Sequence, residues 1–254
     1  MNILQAVVLG IVEGLTEFLP ISSTAHLILA SRIFGIPTDD FLKTFEIAIQ
    51  LGAIMAVALL YRAIFLKQWQ INKRVLIAFL PTAILGAALY PFIKELLGST
   101  TSASVALLVG GIALIVFERL HREGPNDVGA LSIISYKQAI AIGLAQSVAM
   151  VPGISRSAAT IIGGMMVGIK RETIVEFSFL LAVPTMAAAT GLDLLKNFNG
   201  FSGGEVNLLF VGFFSAFASA LFAVSWFIQY IKNHTFTAFG IYRIVIAIAF
   251  LILA

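Results

Sequence analysis

Stretches of apolar residues follow one another along almost the whole chain, and they come in two lengths. Six stretches are long enough to cross about 30 Å of hydrocarbon as helices that rise about 1.5 Å per residue. They cover roughly residues 43–61, 75–96, 103–121, 173–194, 206–230 and 239–254. The pattern predicts six full transmembrane helices and leaves no room for a soluble domain.

Four further apolar segments are too short to cross comfortably, and they occur as two pairs. Residues 3–19 precede residues 22–35, and residues 137–151 precede residues 156–168. Pro and small polar residues interrupt each pair. Non-helical backbone at membrane depth is tolerated only inside protein or beside a water-filled cavity. We therefore expect two re-entrant helical hairpins, over residues 3–35 and 137–168.

The two hairpins belong to an internal repeat. At an offset of 133 residues, residues 5–36 match residues 138–169 without a gap, and nine of these 32 positions are identical. Each copy then holds one hairpin and three spans, and an odd number of crossings turns the second copy upside down. The expected fold is an all-α integral membrane protein with inverted-topology repeats, in which broken helices meet near the midplane. We expect a single membrane domain, 1–254, with repeat one at about 1–121 and repeat two at about 137–254.

Composition and charge support a membrane location. Hydrophobic residues make up 59% of the 254 residues and charged residues 11%, well below the roughly 25% charged of soluble domains. The absence of Cys excludes a thiolate nucleophile and a zinc–thiolate site. Basic residues occupy short separated loops, so we expect no nucleic-acid partner. Ten of them lie in loops 62–74, 119–137, 170–171 and 231–238, which the positive-inside bias places in the cytoplasm, with both termini outside. Four lie on the other side, namely Arg32, Lys43, Lys94 and Lys196.

The first hairpin carries ionisable and hydroxyl side chains at its break. Two acids four residues apart share a helical face, and three hydroxyls and an imidazole follow Pro20. These residues are Glu13, Glu17, Ser22, Ser23, Thr24 and His26. Structural hydrogen bonding is the ordinary explanation for such groups, but ionisable residues inside a membrane are functional candidates by default. The group could supply a nucleophile, a base and an orienting group.

The second hairpin resembles an anion site. Its break carries Gly153, Ser155, Arg156 and Ser157, with Thr160 one turn later. A helix N-terminus supplies free N–H groups, and an Arg supplies a planar donor fork, both suited to phosphate oxygens. An ion pair of Arg156 with an acid of the first hairpin is the structural alternative.

Two carboxylates beside an anion would repel it. A divalent cation with oxygen ligands resolves this conflict, because it can bridge Glu13 and Glu17 to phosphate groups. We expect Mg²⁺ or Ca²⁺ as the cofactor.

At these residues the chain resembles a known family. The stretches from Glu13 to His26 and from Pro152 to Thr160 are similar to the two signatures of bacterial undecaprenyl-diphosphatases, the bacitracin-resistance family. The resemblance implies hydrolysis of undecaprenyl diphosphate to undecaprenyl phosphate and inorganic phosphate, recycling the cell-wall lipid carrier. It also implies a divalent metal and a multi-pass location in the bacterial cytoplasmic membrane, with the site facing the periplasm. By residue, it implies metal and acid–base roles for Glu13 and Glu17, a nucleophile at Ser23 or His26, and a phosphate clamp at Arg156.

Several alternatives stay open on the sequence. Ser23 could attack phosphorus with His26 as its base, or His26 could attack with Glu17 carrying the proton. Ser22, Thr24 and the hydroxyls of the second hairpin are expected to bind substrate. A transporter or flippase of a polyprenyl phosphate is the rival function, and an inert scaffold ranks last. The partners expected are a polyprenyl diphosphate and membrane lipids, with a homodimer left open.

Four polar residues receive secondary interpretations. Glu46 and Gln50 could line the pocket or brace a hairpin, and Glu176 is expected to be structural. We expect Arg243 to extend to a membrane interface.

Overall fold

The structure, a computed structural model, describes residues 1–96, 100–197 and 203–253. Within these ranges the chain forms eleven α-helices, and its β pairing is a single bridge between Val128 and Ile169. The helices are α1 Ile3–Thr16, α2 Ser23–Ile33, α3 Asp40–Leu60, α4 Arg62–Lys67, α5 Trp69–Leu96, α6 Thr100–Leu120, α7 Tyr136–Ser147, α8 Arg156–Met166, α9 Arg171–Asn197, α10 Gly203–Ile231 and α11 Thr237–Leu253.

Five of these helices are long and apolar enough to cross a membrane. They are α3, α5, α6, α9 and α10, and α11 is also apolar but has only 17 residues. The protein is therefore an all-helical, multi-pass integral membrane protein. Five of the six predicted spans correspond to these five helices, and the predicted span 239–254 corresponds to α11. Lys94 and Lys196 were predicted to lie on the side opposite the cytoplasmic loops. Their side chains are outside the described part of the structure.

The two short helix pairs repeat each other closely. A shift of 133 residues carries α2 onto α8 at both ends, and it carries the start of α1 onto the start of α7. A glutamine closes each pair in the same way. The Gln5 side chain donates to the Phe34 carbonyl (3.4 Å), and the Gln138 side chain donates to the Val167 carbonyl (2.9 Å). The duplication predicted from the sequence is thus also seen as equivalent side-chain hydrogen bonds in the two helix pairs.

Each short pair packs against a long helix of the other half. Helix α1 lies along α10, and α7 lies along α5. Small residues permit these close approaches: a Cβ at Gly10 would contact the Gly212 carbonyl oxygen at 2.5 Å, and one at Gly143 would overlap the Ala78 carbonyl. Helices α6 and α11 pack on each other, as do α3 and α9.

The break between α1 and α2 together with the first residue of α2, residues 17–23, is called the first tip. The break between α7 and α8 together with the start of α8, residues 148–157, is called the second tip. The residues through which the tips meet lie inside the helical assembly, because Phe18, Ile21, Ser155 and Ser157 are buried, whereas Val148 and Val151 of the second tip are exposed.

Candidate active site

The two tips contact each other directly. The Ser157 hydroxyl donates to the Phe18 carbonyl at 2.8 Å, and the Ser155 hydroxyl donates to the Leu19 carbonyl at 3.4 Å. Both carbonyls belong to the first tip, and hydroxyls of the other repeat donate to them. The Leu19 carbonyl also accepts from the Ile21 N–H at 2.8 Å. The contact expected from the sequence between the bends at Pro20 and Pro152 is confirmed.

Glu17 joins the chemistry of the two tips. It is the residue that follows α1, and its buried carboxylate accepts a hydrogen bond from the hydroxyl of Ser23, the first residue of α2. Its other oxygen lies 2.9 Å from Nη2 of Arg156, the first residue of α8. A hydroxyl, a carboxylate and a guanidinium therefore form one hydrogen-bonded chain across the two repeats.

Arg156 is held in place on three sides. Its Nη1 donates to the Ser178 carbonyl on α9 at 3.0 Å, and its guanidinium lies 5.7 Å from the centre of the Phe18 ring. Its buried Nε–H has no partner among the described residues. The fork is thus oriented by the protein while one of its donors stays free for an acceptor.

Ser22 has a strained backbone. Its φ of 68° lies in the left-handed region, and it is the only non-glycine residue there in the described chain. Such a conformation costs on the order of 1–3 kcal/mol and is concentrated at functional sites. The Ser22 hydroxyl does not cap α2, so the first-turn N–H groups of this helix stay available to a ligand.

His26 has both ring nitrogens engaged away from Ser23. Its Nδ1 lies 2.7 Å from the Ser22 carbonyl oxygen, and its Nε2 lies 2.9 Å from the Tyr242 hydroxyl. The two rings stack at 5.5 Å with a 4° interplanar angle. Since a carbonyl can only accept, Nδ1 carries a proton, and in the neutral imidazole Nε2 accepts from the tyrosine. The structure thus brings His26 to the first tip but does not direct it at the Ser23 hydroxyl.

Glu13 is a buried acid whose carboxylate has no hydrogen-bond donor among the described residues. The side chain is fully buried. Glu13 lies one helical turn before Glu17, because the Glu17 N–H donates to the Glu13 carbonyl at the end of α1. A carboxylate with two free oxygens, one helical turn from a second carboxylate, suits a proton or a cation.

A divalent cation fits this pair only as a partly hydrated ion. The described residues hold no cluster of three or more His, Cys, Asp or Glu side chains able to bind a metal. Mg²⁺ commonly takes one or two carboxylates and completes its shell with waters and substrate phosphates. Glu13 and Glu17 match that donor set.

A small cavity of about 160 Å³ lies where the tips meet. A phosphate group is small enough to enter it. Residues of both repeats line it: Glu17, Ser22, Ser23, Thr24, Gln50, Ala149, Ile154, Ser155, Arg156 and Met186. A larger recess of about 420 Å³ lies at the start of α9, between Lys170 and Lys232, and none of the tip residues lines it. The smaller cavity is the one lined by residues predicted from the sequence, including Glu17, Ser23 and Arg156.

The remaining predicted residues of the second tip have protein partners. The Thr160 hydroxyl donates to the Arg156 carbonyl at 2.8 Å, and Ser155 caps α8 by accepting from the Ala158 N–H. Gly153 has a φ of 92°, and a Cβ there would lie 2.6 Å from the Ala103 carbonyl oxygen, so this position requires glycine. Ser157 and Thr160 do not line the cavity.

The position of Arg243 differs from the expected one. We expected it at a membrane interface, but its side chain is fully buried and hydrogen bonds to both tips. Tyr242 and Ser178 are further contacts of the site that the sequence analysis did not single out. A second, shorter internal match, between residues 111–116 and 240–245, contains the signal that could have found Tyr242 and Arg243.

Comparisons with known proteins identify the family. The family model described as bacitracin resistance protein BacA matches residues 6–249 of the chain. The chain belongs to the BacA family. The relatives named undecaprenyl-diphosphatase include those of Sulfurihydrogenibium sp., 50% identical over 98% of both chains, and of Wolinella succinogenes, 49% identical over 99% of this chain and 98% of the relative. A protein of the same name from Aquifex aeolicus is 49% identical over 97% of this chain and 96% of the relative. The residues that match the family model include both tips.

Proposed function

We propose that this protein is a membrane phosphatase that hydrolyses undecaprenyl diphosphate to undecaprenyl phosphate and inorganic phosphate. The observation that carries the proposal is the hydrogen-bonded chain from Ser23 through Glu17 to Arg156 at the meeting of two buried tips. A hydroxyl hydrogen bonded to a carboxylate places a nucleophile beside a proton acceptor, which phosphate binding alone does not require. The names of the relatives supply the substrate.

In the proposed mechanism, Ser23 is the nucleophile. Its Oγ attacks the terminal phosphorus while Glu17 accepts the hydroxyl proton, and Arg156 binds the phosphate oxygens. The bond from phosphorus to the bridging oxygen breaks, Glu17 passes the proton to the departing undecaprenyl phosphate, and a phosphoserine forms. Water then attacks the phosphoserine while Glu17 accepts a proton from it. The bond from phosphorus to Oγ breaks, Glu17 returns the proton to Ser23, and inorganic phosphate leaves.

The contacts of His26 favour Glu17 as the base. The Nε2 of His26 accepts from Tyr242, and its Nδ1–H donates to the Ser22 carbonyl, so neither nitrogen is free to take a proton from Ser23. The alternative scheme, with His26 as nucleophile, requires the imidazole to leave Tyr242. We assign His26 the role of holding the strained Ser22 backbone.

Glu13 and Glu17 would hold a divalent cation, Mg²⁺ or Ca²⁺. The ion, when bound, neutralises phosphate charge. Glu13 contributes the carboxylate that has no donor of its own, and Glu17 contributes the carboxylate already oriented by Arg156. Charge balance between two carboxylates, one guanidinium and a diphosphate supports this assignment.

We further propose six crossings and two re-entrant hairpins in inverted repeats within one membrane domain. The repeat at 133 residues and the contact between the tips support this topology. The distribution of basic residues supports cytoplasmic loops at 62–74 and 119–137. The proposed location is the bacterial cytoplasmic membrane, with the site open to the periplasmic side.

Phosphate release by the purified protein in detergent tests the function. The wild type should release inorganic phosphate from undecaprenyl diphosphate, and Ser23→Ala and Arg156→Ala should not. A polyprenyl phosphate flippase is the second candidate, since it would need a similar anion pocket. Lipid transfer in vesicles without phosphate release by the wild type would favour the flippase and contradict the phosphatase.

A further inference from the structure

Arg243 on α11 connects three separate parts of the fold. Its fully buried guanidinium donates to the carbonyls of Pro20 (3.2 Å) in the first tip and Gly153 (3.1 Å) in the second tip. It also donates to the carbonyls of Ala106 (3.2 Å) and Leu107 (3.3 Å) on α6. One side chain therefore fixes the position of both tips relative to each other and to α6.

Burial of the Arg243 guanidinium costs folding free energy, so stability alone does not explain it. All four carbonyl partners of Arg243 are uncharged, and a buried cation whose partners are only dipoles carries a large desolvation penalty. A well-packed apolar residue of similar volume often stabilises a buried site as well as or better than charged groups do. A buried guanidinium here indicates a role in the geometry of the site.

The equivalent position of the other repeat carries an apolar residue. Residues 111–116 read Gly-Ile-Ala-Leu-Ile-Val, and residues 240–245 read Gly-Ile-Tyr-Arg-Ile-Val. The two glycines face each other: a Cβ at Gly111 would lie 2.8 Å from the Gly240 carbonyl oxygen, and one at Gly240 would lie 2.9 Å from the Gly111 carbonyl oxygen. Leu114 is thus the counterpart of Arg243, and it is fully buried.

The other position that differs is linked to the first tip through His26. Tyr242, whose counterpart is Ala113, donates to Nε2 of His26 at 2.9 Å and stacks on its ring. His26 in turn binds the carbonyl of Ser22, beside the proposed nucleophile Ser23. The two positions at which the α11 segment departs from its α6 counterpart are therefore the two that hold the tips.

We propose that Arg243 is a positioning residue for phosphoryl transfer, and that Tyr242 assists it through His26. Arg243 sets how the two tips meet, and so it sets where Ser23 and Glu17 lie relative to Arg156. Arg243 does not line the cavity, so it acts through the tip backbones rather than on the substrate. This inference rests on the proposed phosphatase function.

Steady-state kinetics of phosphate release provide the first test. Arg243→Leu, which installs the residue of the other repeat, should lower kcat by roughly 100-fold with KM changed only a few-fold, because displacements near 1 Å have effects of that size. Arg243→Lys should recover part of kcat, since an ammonium keeps the charge and can reach some of the carbonyls. Leu114→Ala is the matched control: it should lower the Tm but leave kcat unchanged.

The outcomes separate the two proposals. A wild type without phosphate release would contradict the proposed function itself. An active wild type with a full kcat in Arg243→Leu would overturn the positioning role alone. Should Arg243→Leu not fold, Gly110→Ala decides, because its Cβ would press against the Arg243 guanidinium; it should lower kcat, and a full kcat there would overturn the inference.

A distance measurement supplies a readout independent of activity. The chain has no Cys, so Ile33→Cys and Met166→Cys can carry a pair of spin labels without background. These residues are exposed at 67% and 70% and lie at equivalent places in the two repeats, near the ends of α2 and α8. Double electron–electron resonance should give one narrow distance distribution with Arg243 present and a broadened or shifted one with Arg243→Leu. Identical distributions would overturn the proposal.

Discussion

The Ser23 hydroxyl donates a hydrogen bond to a carboxylate oxygen of Glu17. Ser23 comes six positions after Glu17 in the sequence, and the first tip reverses the chain between them. The turn itself therefore brings the proposed nucleophile to the proposed base, while Arg156 holds the other carboxylate oxygen. This relationship allows the roles of the three side chains to be separated by mutation.

Removal of the proton acceptor should abolish most of the chemistry. Glu17→Gln keeps the shape of the side chain but cannot accept the Ser23 proton, so kcat for phosphate release should fall by roughly 10²–10⁴-fold. His26→Gln should have a smaller effect, because His26 acts on the Ser22 backbone. A larger loss with His26→Gln than with Glu17→Gln would contradict this order of roles.

The covalent intermediate should form on Ser23. Rapid acid quenching of the wild type with substrate labelled in its terminal phosphate should leave label on a peptide that contains Ser23, because phosphoserine survives acid. Ser23→Ala should carry no label under either acid or alkaline quenching. Alkali-stable, acid-labile label on His26 in the Ser23→Ala variant would instead establish the histidine as nucleophile.

Activity should depend on a divalent cation through Glu13. Chelator should abolish phosphate release and added Mg²⁺ should restore it, and Glu13→Gln should raise the half-saturating Mg²⁺ concentration by roughly 10-fold or more. Glu176→Gln is the matched control, because Glu176 lines the separate recess at the start of α9. Full activity in excess chelator would contradict the metal assignment.

Replacing the glycines that bring the short helices against their neighbours should destabilise the protein to a similar extent in both repeats. Gly10→Ala and Gly143→Ala each place a Cβ against backbone of the packed helix, and such overpacking costs about 1–3 kcal/mol. Gly191→Ala on α9 is the control, because among the described residues no atom outside the backbone of its own helix lies within 4 Å of that Cβ. Thermal unfolding in detergent should show a lower Tm for the first two variants alone. A Tm of Gly143→Ala equal to that of Gly191→Ala would contradict the packing argument.

The short helix pairs, their duplication and the contact of the tips could be predicted from the sequence. Apolar segments of these lengths interrupted by Pro have few solutions in lipid, because an unpaired backbone group cannot face hydrocarbon. The pairing of Arg156 with Glu17 follows from the same physics, since an isolated charge in the membrane interior needs a partner.

The partners of His26 and Arg243 could not be predicted. Helical spacing places His26 on the same face as Ser23, but the hydroxyl at the first position of α2 turns towards Glu17 and the imidazole reaches back to the Ser22 carbonyl. The remaining contact of His26 is to Tyr242, 216 residues away along the chain. Periodicity determines which face of a helix is buried, and it does not determine which distant helix covers that face.

Each short helix pair packs mainly on a long helix from the opposite half of the chain. A single copy of the repeat would thus leave its own short helix exposed, and only a second copy could cover it. The protein has the construction of a covalently joined dimer whose two protomers have exchanged elements. Selection could then change one copy into the acid-bearing half and the other into the guanidinium-bearing half, which two identical subunits could never do.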